Sequence, residues 1–586
     1  MQLVGLLNTD KDILKLYNRG FNCLVQDKEF YLFRNTINPY KDFNFSYYNN
    51  IHLFIIGNIT NIEDIREEKG NSYKENTKIL CECIIKSYIK YGEAVFSKLD
   101  GSYIIILWDG NKKRLYLHRD IYGTKLLYYY FAPEDGLIFS NNLDILLRIT
   151  GKKDISHKAL HEYLRFLDIS PPYTIYENVY FLEPEKILIA DQNGIVLKDI
   201  SSRSIIQNKA ISFKDAVFEF KKFLCKSIDA RMRNANKVGV FLSGGIDSTL
   251  ICAIASKGKN NIKTYTIGFE DPLYDESMIA KNVANYLGIE HTVFKFTIEE
   301  DFNAFNDFVS IIPSPFADPA AIPTVQCFKH ISDNVDIVLD GTGADTLIGI
   351  MPARHIRFIL KYSRHIPSKL RRLFVFLMNR NKKISFYSDL FDFDEVEELL
   401  IRWNGWTKSE ISQLCGGDCD LSHTRFYKIF KKNSSKEPYE LYSILIGTLP
   451  DDRIHQTSAI FDREVVFPFF DQSVQEFVRN LPTKYKYNNG VHKILYKNLL
   501  EEFIPRNIWE KPKQGFNYPF ENLLKYNDYN LPKTFLSNDA ISIHGFFDPL
   551  IVEEYLQRFL NSDDTVKFKI WALVVFQAWY LRHYKI

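Results

Sequence analysis

The stretch VGVFLSGGIDSTL, residues 238–250, is an apolar run followed by two glycines, flanking hydroxyl residues and an aspartate. An apolar strand that enters a glycine turn and continues as a helix directs backbone N–H groups and the positive end of the helix dipole at an anion. Gly244 and Gly245 allow the backbone to approach a phosphate closely. The hydroxyl donors of the turn are those of Ser243, Ser248 and Thr249. The stretch therefore predicts an anion-binding turn, and a tight turn with a capped helix start is the simpler alternative.

A carboxylate takes the place of the lysine that many phosphate loops carry. No lysine follows the glycines, so the turn is not a lysine-containing phosphate loop, and Asp247 would repel phosphates unless Mg²⁺ lay between them. A second stretch, VDIVLDGTGAD at 335–345, again leads an apolar strand through glycines to an aspartate, Asp345. The carboxyl ends of neighbouring parallel strands line one crevice. We therefore expect Asp247 and Asp345 to face one ligand and share one divalent cation.

Strand and helix patterns alternate from residue 213 to residue 345. This alternation predicts an α/β domain whose parallel sheet carries helices on both faces. From about Met351 onward helical periodicity dominates, which predicts a largely helical C-terminal part. Within it, the basic and apolar stretch at 354–378 predicts a helix that packs its apolar stripe on the domain, and a membrane-surface helix is the alternative.

The first 198 residues have a different character. Short runs rich in β-branched and aromatic residues alternate with turn residues, which predicts an α+β domain of stacked, mostly antiparallel sheets. One covering helix is predicted over residues 76–92, and the polar stretch at 199–212 predicts a linker. The predicted strands lie in FYLFRN, IHLFIIGN, GSYIIILWDG, RLYLHRD, KLLYYYF, LIFSNN and KILIADQNG.

Composition bounds the function. A chain of 586 residues suggests about two to four domains, and its 46% apolar and 25% charged residues are typical of soluble globular proteins. The net charge of +2 gives no electrostatic reason to expect a nucleic acid or a membrane as the main partner. The start resembles no secretion signal and no apolar run reaches the roughly 20 residues of a spanning helix, so we expect a cytoplasmic protein.

The eight cysteines favour reduced thiols over a disulfide framework. Cys415, Cys419 and His423 have a suggestive spacing, but no second pair of ligands lies nearby in the sequence. The spacing therefore favours an ordinary helix end or loop over a metal site.

Several motifs, in order along nearly the whole chain, resemble the asparagine synthetase family. The resemblance implies an N-terminal-nucleophile amidohydrolase fold for residues 1–205 and an adenine-nucleotide α-hydrolase-like synthetase domain for residues 206–586. The motifs of the first part are FIIGNITN at 54–61, LDGSYIIILWD at 99–109 and HRDIYGTKLLYY at 118–129. Those of the second part are SGGIDS at 243–248, IGF at 267–269, FADPAAIPT at 316–324, DGTGAD at 340–345, VVFPFFD at 465–471 and KPKQGFNYP at 511–519.

The resemblance implies a two-step reaction and a set of site residues. ATP would activate a carboxylate as an acyl-adenylate with release of pyrophosphate, and a nitrogen nucleophile would then displace AMP. ATP and its pyrophosphate would contact Leu242, Ser243, Gly244, Gly245, Asp247, Ser248, Thr249, Ile267, Gly268, Gly341 and Gly343. Mg²⁺ would bind Asp247 and Asp345, the catalytic cations would be Lys493 and Lys513, and the substrate side would include Thr342 and Asp318. The alternatives are solvated charges for the two lysines and a proline-rich connecting loop for residues 316–324.

The chain departs from the family pattern at three places. Gln2 stands where glutamine-hydrolysing members carry a nucleophilic cysteine, and Gly57, Asn58 and Ile59 replace an N-G-E stretch. We therefore predict that the glutaminase-like domain, 1–205, is inactive. Thr342 stands where asparagine synthetases carry a glutamate base and β-lactam-closing relatives a tyrosine; threonine is a poor base at neutral pH.

The third departure is the stretch at 454–471, where the family commonly has D-[RK]-x-S-M-A-x-S-x-E-[VA]-R. Asp462 and Glu464 lie near its usual acidic position.

The leading expectation is an ATP- and Mg²⁺-dependent ligase that forms an amide from a small-molecule or peptide carboxylate and an amine from a source other than glutamine. Relatives with a silent first domain include β-lactam synthetases, lasso-peptide macrolactam cyclases and enzymes that modify polysaccharides, so we expect a role in peptide or natural-product (macrolactam) or polysaccharide modification. One alternative is an asparagine synthetase that uses free ammonia or glutamine. Another is a nucleotide-binding scaffold without chemistry, and a homodimer is left open.

Overall fold

The computed structural model describes most of the chain. The described residues are 2–8, 21–27, 29–35, 43–61, 77–200, 211–258, 261–331, 335–349, 366–379, 405–433, 441, 444–445, 454, 456–458, 461, 463–510 and 518–584. The predicted boundary between residues 205 and 206 lies outside them and stays a prediction.

Two six-stranded antiparallel sheets form the N-terminal part. Their strand orders are β10-β8-β9-β1-β3-β2 and β12-β11-β7-β6-β5-β4. The seven strands expected from the sequence are all present, and five further strands (β1, β2, β4, β10 and β12) complete the sheets. The strands are β1 (Gln2–Leu7), β2 (Asn22–Gln26), β3 (Phe30–Asn35), β4 (Phe43–Tyr48), β5 (Ile51–Ile59), β6 (Gly101–Asp109), β7 (Arg114–Arg119), β8 (Tyr128–Ala132), β9 (Gly136–Ser140), β10 (Val179–Phe181), β11 (Lys186–Asp191) and β12 (Gly194–Asp199).

The two sheets are stacked face to face, as strand β6 shows. Ile104, Ile106 and Trp108 point between the sheets, while the alternate residues point to the outer core under helix α1, Thr77–Tyr91. Because side chains alternate across a strand, a run that is apolar at every position belongs to a strand covered on both faces. The expected fold of stacked antiparallel sheets with a covering helix is confirmed.

A five-stranded parallel sheet forms the centre of the second part, with strand order β15-β14-β13-β16-β17. One helix, α8 (Ala321–His330), covers one face of this sheet. The other face is covered by α4 (Phe213–Met232), α5 (Ile246–Gly258), α6 (Ser277–Leu287) and α15 (Ile494–Glu501). The expected α/β domain is confirmed. Its strands, with those of the small β18-β19 hairpin, are β13 (Val238–Phe241), β14 (Ile262–Gly268), β15 (Glu290–Lys295), β16 (Ile337–Leu339), β17 (Val465–Val466), β18 (Tyr487–Asn488) and β19 (Val491–His492).

The remaining described elements are helical, so the expected helical C-terminal part is confirmed, and α17 is interrupted at Tyr526–Tyr529. None of the helices in the described residues has the length and apolar character to cross a bilayer. The other helices are α2 (Leu143–Thr150), α3 (His157–Phe166), α4 (Phe213–Met232), α5 (Ile246–Gly258), α6 (Ser277–Leu287), α7 (Ile298–Ile311), α8 (Ala321–His330), α9 (Ala344–Ile348), α10 (Ser368–Asn379), α11 (Lys408–Cys415), α12 (Arg425–Asn433), α13 (Gln472–Asn480), α14 (Thr483–Lys486), α15 (Ile494–Glu501), α16 (Arg506–Trp509), α17 (Phe520–Phe535), α18 (Asn538–Ile541), α19 (Pro549–Leu560) and α20 (Lys567–Tyr584), with 3-10 turns at Gly92–Lys98 and Asp564–Val566.

The two parts share a hydrophobic core. The outer face of the β1 sheet packs with helices α2 and α3 against α7, α8, α17 and α20 of the second part. Tyr163 of α3 donates a hydrogen bond to the carbonyl of Ala572 in α20 at 2.8 Å, and the N–H of Ala317 donates to the carbonyl of Leu167 in the N-terminal part at 2.7 Å. The N-terminal part therefore packs directly against the second part. Residues 201–210 of the predicted linker lie outside the described residues, so the linker stays a prediction.

Candidate functional site

The strand order of the parallel sheet reverses at β13. This strand pairs with β14 on one side and with β16 on the other, both in parallel. Ligands of open α/β sheets bind outside the carboxyl ends of the strands at such a point. The two glycine turns predicted from the sequence follow β13 and β16, so the topology brings them to the same crevice.

The first turn, residues 242–248, is held by hydrogen bonds within itself and to the sheet. Thr266 of β14 donates its hydroxyl to the carbonyl of Leu242. The Ser248 hydroxyl accepts from the N–H of Ser243 at 3.2 Å and lies 3.0 Å from the Ser243 hydroxyl. Gly244 has φ +78, where a side chain would be strained, and a Cβ there would lie 3.0 Å from Ile279. The turn is thus a preformed backbone cradle at the start of α5.

The second turn, residues 340–345, reaches the same place from β16. The Asp340 carboxylate accepts from the N–H of Thr342 at 2.8 Å, and Gly343 has φ +94 at the start of the short helix α9. A Cβ at Gly341 would lie 3.4 Å from Cβ of Asp247. The two turns are therefore in van der Waals reach of each other, as the two motifs predicted.

Lys493 connects the two turns. Its Nζ contacts a carboxylate oxygen of Asp247 and lies 2.8 Å from Oδ1 of Asp345. The lysine side chain is 7% exposed, and the residue has φ +58 immediately before helix α15. Burial alone would lower the pKa of Lys493, but the charges of Asp247 and Asp345 outweigh burial and raise it. The site is therefore a buried ammonium held between two acidic side chains.

The residues present fit a magnesium ion and a nucleotide phosphate. Mg²⁺ is usually held by one or two protein carboxylates together with substrate phosphates, not by a complete protein cage. Asp247 and Asp345 both point at one cation, the Lys493 ammonium. The backbone beside them contains glycines, and an added Cβ on these glycines would contact neighbouring groups. Within the described residues no group of three or more His, Cys, Asp and Glu side chains could hold a metal ion. A magnesium site with two protein carboxylates and phosphate oxygens agrees with the convergence of Asp247 and Asp345 and with the absence of a larger ligand group in the described residues.

The other predicted residues occupy different environments. Ile267 and Gly268 end β14, beside the first turn. Thr249 is fully buried within α5, so its hydroxyl faces the interior of the domain. Asp318 accepts from the N–H of Ala320 at 2.9 Å, ahead of helix α8. Nothing in these contacts tests their roles as ligand residues, which stay predictions.

The remaining sequence predictions have mixed outcomes. The alternative of a proline-rich loop for residues 316–324 is wrong from Ala321 onward, because helix α8 begins there. Glu464 forms an ion pair with Lys125 of the N-terminal part at 2.5 Å. Lys513 and Asp462 lie outside the described residues, as does part of the predicted helix at 354–378. Its described part is α10, where the expected packing of an apolar stripe on the domain is not confirmed, because about half of each of these side chains is exposed: Leu370, Leu373, Phe374, Phe376 and Leu377.

Sequence reasoning identified residues 465–471 as a motif but missed that this segment supports the second turn. The Phe470 ring packs on Gly343, where a Cβ would lie 2.6 Å from the ring. Arg231 of α4 donates to the carbonyl of Phe470 at 2.7 Å and pairs with Asp471 at 3.2 Å. The motif VVFPFFD carried a signal for this region, but Arg231 lies in an ordinary amphipathic helix and carried none.

Comparison with known proteins agrees with this architecture. The family model described as asparagine synthase matches residues 219–581, and that described as glutamine amidotransferase domain matches residues 44–200. The chain belongs to the asparagine synthase family, and this membership supports an ATP-dependent amide ligase. The protein called asparagine synthetase [glutamine-hydrolyzing] 1 from Bacillus subtilis (strain 168) is 25% identical over 89% of this chain and 84% of its own. A putative asparagine synthetase [glutamine-hydrolyzing] from Mycobacterium bovis is 24% identical over 85% of this chain and 79% of its own.

Among solved structures, glutamine phosphoribosylpyrophosphate amidotransferase from B. subtilis, complexed with ADP and GMP, matches 51% of this chain and 91% of its own. The TM-score is 0.25 and the sequence identity is 10%.

Proposed function

We propose that the chain binds ATP and Mg²⁺ at the two glycine turns and activates a substrate carboxylate as an acyl-adenylate, with release of pyrophosphate. An amine then displaces AMP to form an amide. The observation that carries the proposal is the Lys493 ammonium between Asp247 and Asp345, at the point where the strand order reverses. The ammonium and the two carboxylates together carry a net charge of −1, and a bound Mg²⁺ would change it to +1, a charge that suits a triphosphate better than an uncharged ligand.

Each group of the centre has a physical task in this proposal. The backbone of residues 243–245 and the first turn of α5 offer N–H donors to pyrophosphate oxygens. Lys493 offers a fixed, desolvated positive charge to the oxygens on which negative charge develops. When bound, Mg²⁺ would neutralise phosphate charge, and Asp247 and Asp345 are the carboxylates that would hold it.

The amine in this proposal does not come from glutamine. The side chain of Gln2, at the head of β1, has no nucleophilic atom for glutamine hydrolysis. Thr342 in the second turn cannot serve as the base that ammonia attack needs. The acceptor amine therefore belongs to the substrate itself or to a second molecule, as in macrolactam closure or the modification of a polysaccharide.

Carboxylate-dependent exchange of labelled pyrophosphate into ATP tests the first step. The wild-type chain with Mg²⁺ is expected to exchange in the presence of its carboxylate, and Asp345→Asn is expected to lose exchange by at least about a hundredfold, since it removes one carboxylate of the charged centre. Asp418→Asn, at an exposed aspartate, is the matched control. Exchange that survives in Asp345→Asn at the wild-type rate contradicts the assignment of the site.

The nitrogen source is tested separately with glutamine labelled with ¹⁵N at its amide. We expect no label in the product, and label there would show that the N-terminal domain is an active glutaminase.

The relatives' names favour a second candidate. Because the chain aligns over most of its length with proteins called asparagine synthetase, aspartate with ammonium salts is the first substrate pair to assay. Formation of asparagine from this pair, with saturation at low millimolar ammonia, would favour this candidate over the proposed ligase.

A further inference from the structure

One turn of the N-terminal part, residues 119–125, is unusually well braced. The buried Asp120 carboxylate accepts from the backbone N–H groups of Tyr122 and Thr124, each at 3.1 Å, and from the Thr124 hydroxyl at 2.7 Å. The buried Arg119 guanidinium donates to the carbonyl of Lys125 at 2.8 Å. The turn therefore presents the side chains of Tyr122 and Lys125 from a rigid backbone.

Both of these side chains contact one segment of the second part, residues 464–472, which we call the bridging segment. Lys125 pairs with Glu464 at its start. The Tyr122 ring stacks on the Phe470 ring near its end, with centroids 5.1 Å apart and an angle of 8° between the planes. The Asp100 carboxylate, also from the N-terminal part, accepts from the N–H of Gln472 at 3.0 Å. The N-terminal part thus holds the bridging segment at both ends.

The bridging segment in turn contacts the second glycine turn. It contains β17, and the carbonyl of Val466 accepts from the N–H of Asp340 at 3.1 Å. Its Phe470 ring occupies the space where a side chain at Gly343 would begin, 2.6 Å from an added Cβ. Two packed steps, Tyr122 on Phe470 and Phe470 on Gly343, therefore connect the N-terminal part to the turn that carries Asp345.

We propose that Tyr122 is a positioning residue for the second part: its stacked ring holds Phe470 against Gly343 and so fixes the turn at 340–345. This inference deepens the proposed function, because it assigns the silent N-terminal domain a task in nucleotide binding, and the role in ATP binding depends on that proposal. Because glycine adopts positive and negative φ with similar ease, packing contacts such as that of the Phe470 ring help to select the observed φ of +94 at Gly343. Without the Tyr122 ring on one side, the Phe470 ring can move, and the turn at 340–345 is then free to change conformation.

Hydrogen exchange of the full chain without nucleotide tests this positioning directly. Tyr122→Ala is expected to speed amide exchange in peptides that cover residues 337–349 about two- to tenfold, the range of an aromatic pair. Tyr122→Phe keeps the stack and is expected to restore the wild-type rate. Tyr129→Ala removes an aromatic pair of similar geometry, with Tyr180 at 5.5 Å and 30°, inside the N-terminal part, and is expected to leave these peptides unchanged.

The outcomes separate this inference from the proposed function. Unchanged exchange at 337–349 in a folded Tyr122→Ala protein overturns the positioning role, even if ATP binds. If Tyr122→Ala does not fold, Tyr122→Leu keeps an apolar side chain without the flat ring and takes its place. Titration with Mg²⁺-ATP gives the second readout: faster exchange with about two- to tenfold weaker ATP binding supports the inference. If Tyr122→Ala exchanges faster but the wild type itself binds no ATP, only the proposed function is contradicted.

Discussion

The substitution Lys493→Met probes the charged centre without a large change in side-chain volume. It removes the ammonium that contacts Asp247 and lies 2.8 Å from Asp345, and it leaves two carboxylates facing each other. Removing one partner of a buried ion pair costs about 3–5 kcal/mol of the free energy of unfolding. Because the side chains of Asp247 and Asp345 are 20% and 39% exposed, water relieves part of this cost. We expect a loss of about 2–3 kcal/mol.

The assay is urea unfolding at pH 7.5, compared with Lys497→Met one turn further along α15. The pKa of Lys493 is raised by its two carboxylates, so its contribution to stability is fully present below the unfolded-state pKa of about 10.4 and is lost only as the pH rises through the folded value. A measurement at pH 7.5 is therefore insensitive to small errors in pH.

Added Mg²⁺ provides the second half of the test. In Lys493→Met a divalent cation can take the place of the lost ammonium, and at ten times its dissociation constant it is expected to restore about 1.4 kcal/mol. Without nucleotide, the wild type is expected to gain less, because the Lys493 ammonium already balances part of the charge of the two carboxylates. A Lys493→Met protein as stable as Lys497→Met, or one that Mg²⁺ does not stabilise, would refute the reasoning about this centre.

Four further substitutions test other parts of the molecule. Gly343→Ala is expected to lower the free energy of unfolding in urea by about 2–4 kcal/mol, because a φ of +94 disfavours a side chain and the added Cβ would clash with the Phe470 ring. Gly341→Ala would place its Cβ at an ordinary contact distance of 3.4 Å, so it is expected to fold normally and to weaken ATP binding measured by calorimetry. Ser248→Ala is expected to cost about 1–2 kcal/mol and to weaken pyrophosphate binding, because its hydroxyl organises the first turn. Burial raises the pKa of Glu162 to about 8. Its stabilising contribution is therefore fully present below the unfolded-state pKa of about 4.3 and is lost as the pH rises through 8. The free energy of unfolding of Glu162→Gln should accordingly rise by a few kcal/mol relative to wild type between pH 5.5 and 8.5, with Glu554→Gln as an exposed control. A pH-independent difference for Glu162→Gln would contradict the burial of its charge.

The sequence was sufficient for elements whose pattern is local. The run YIIILW in β6 is apolar at every position because both faces of that strand are buried, and the two glycine turns follow apolar strands that any reading of periodicity detects. Parallel alternation of strands and helices then fixes where the turns meet, since the carboxyl ends of β13 and β16 are neighbours. The proximity of Asp247 and Asp345 was predictable for this reason.

Features that depend on distant contacts were not predictable from patterns. Strand β17 has only two residues, and its pairing with β16 defines it as a strand. The contact between Lys493 and Asp247 spans 246 residues of sequence, and no local pattern marks the left-handed backbone that places this lysine. Tyr122 and Phe470 are ordinary aromatic residues in the sequence, and their stack is a property of the interface between the two parts.

The charged centre can be kept while residue 342 changes, because the groups that hold Asp345 in place differ from the side chain that would act as the base. The backbone of the second turn is fixed by Gly343 and by the bond from the Thr342 N–H to Asp340, so the identity of the side chain at 342 has little influence on where Asp345 lies. A chain can therefore replace the base that receives the proton of the attacking amine while it keeps the groups that activate the carboxylate. Under the proposed function, activation and the choice of amine are separable properties of this fold. Thr342→Glu is accordingly a test of the amine step alone: it should leave pyrophosphate exchange near the wild-type rate, and a large loss of exchange would show that residue 342 takes part in activation.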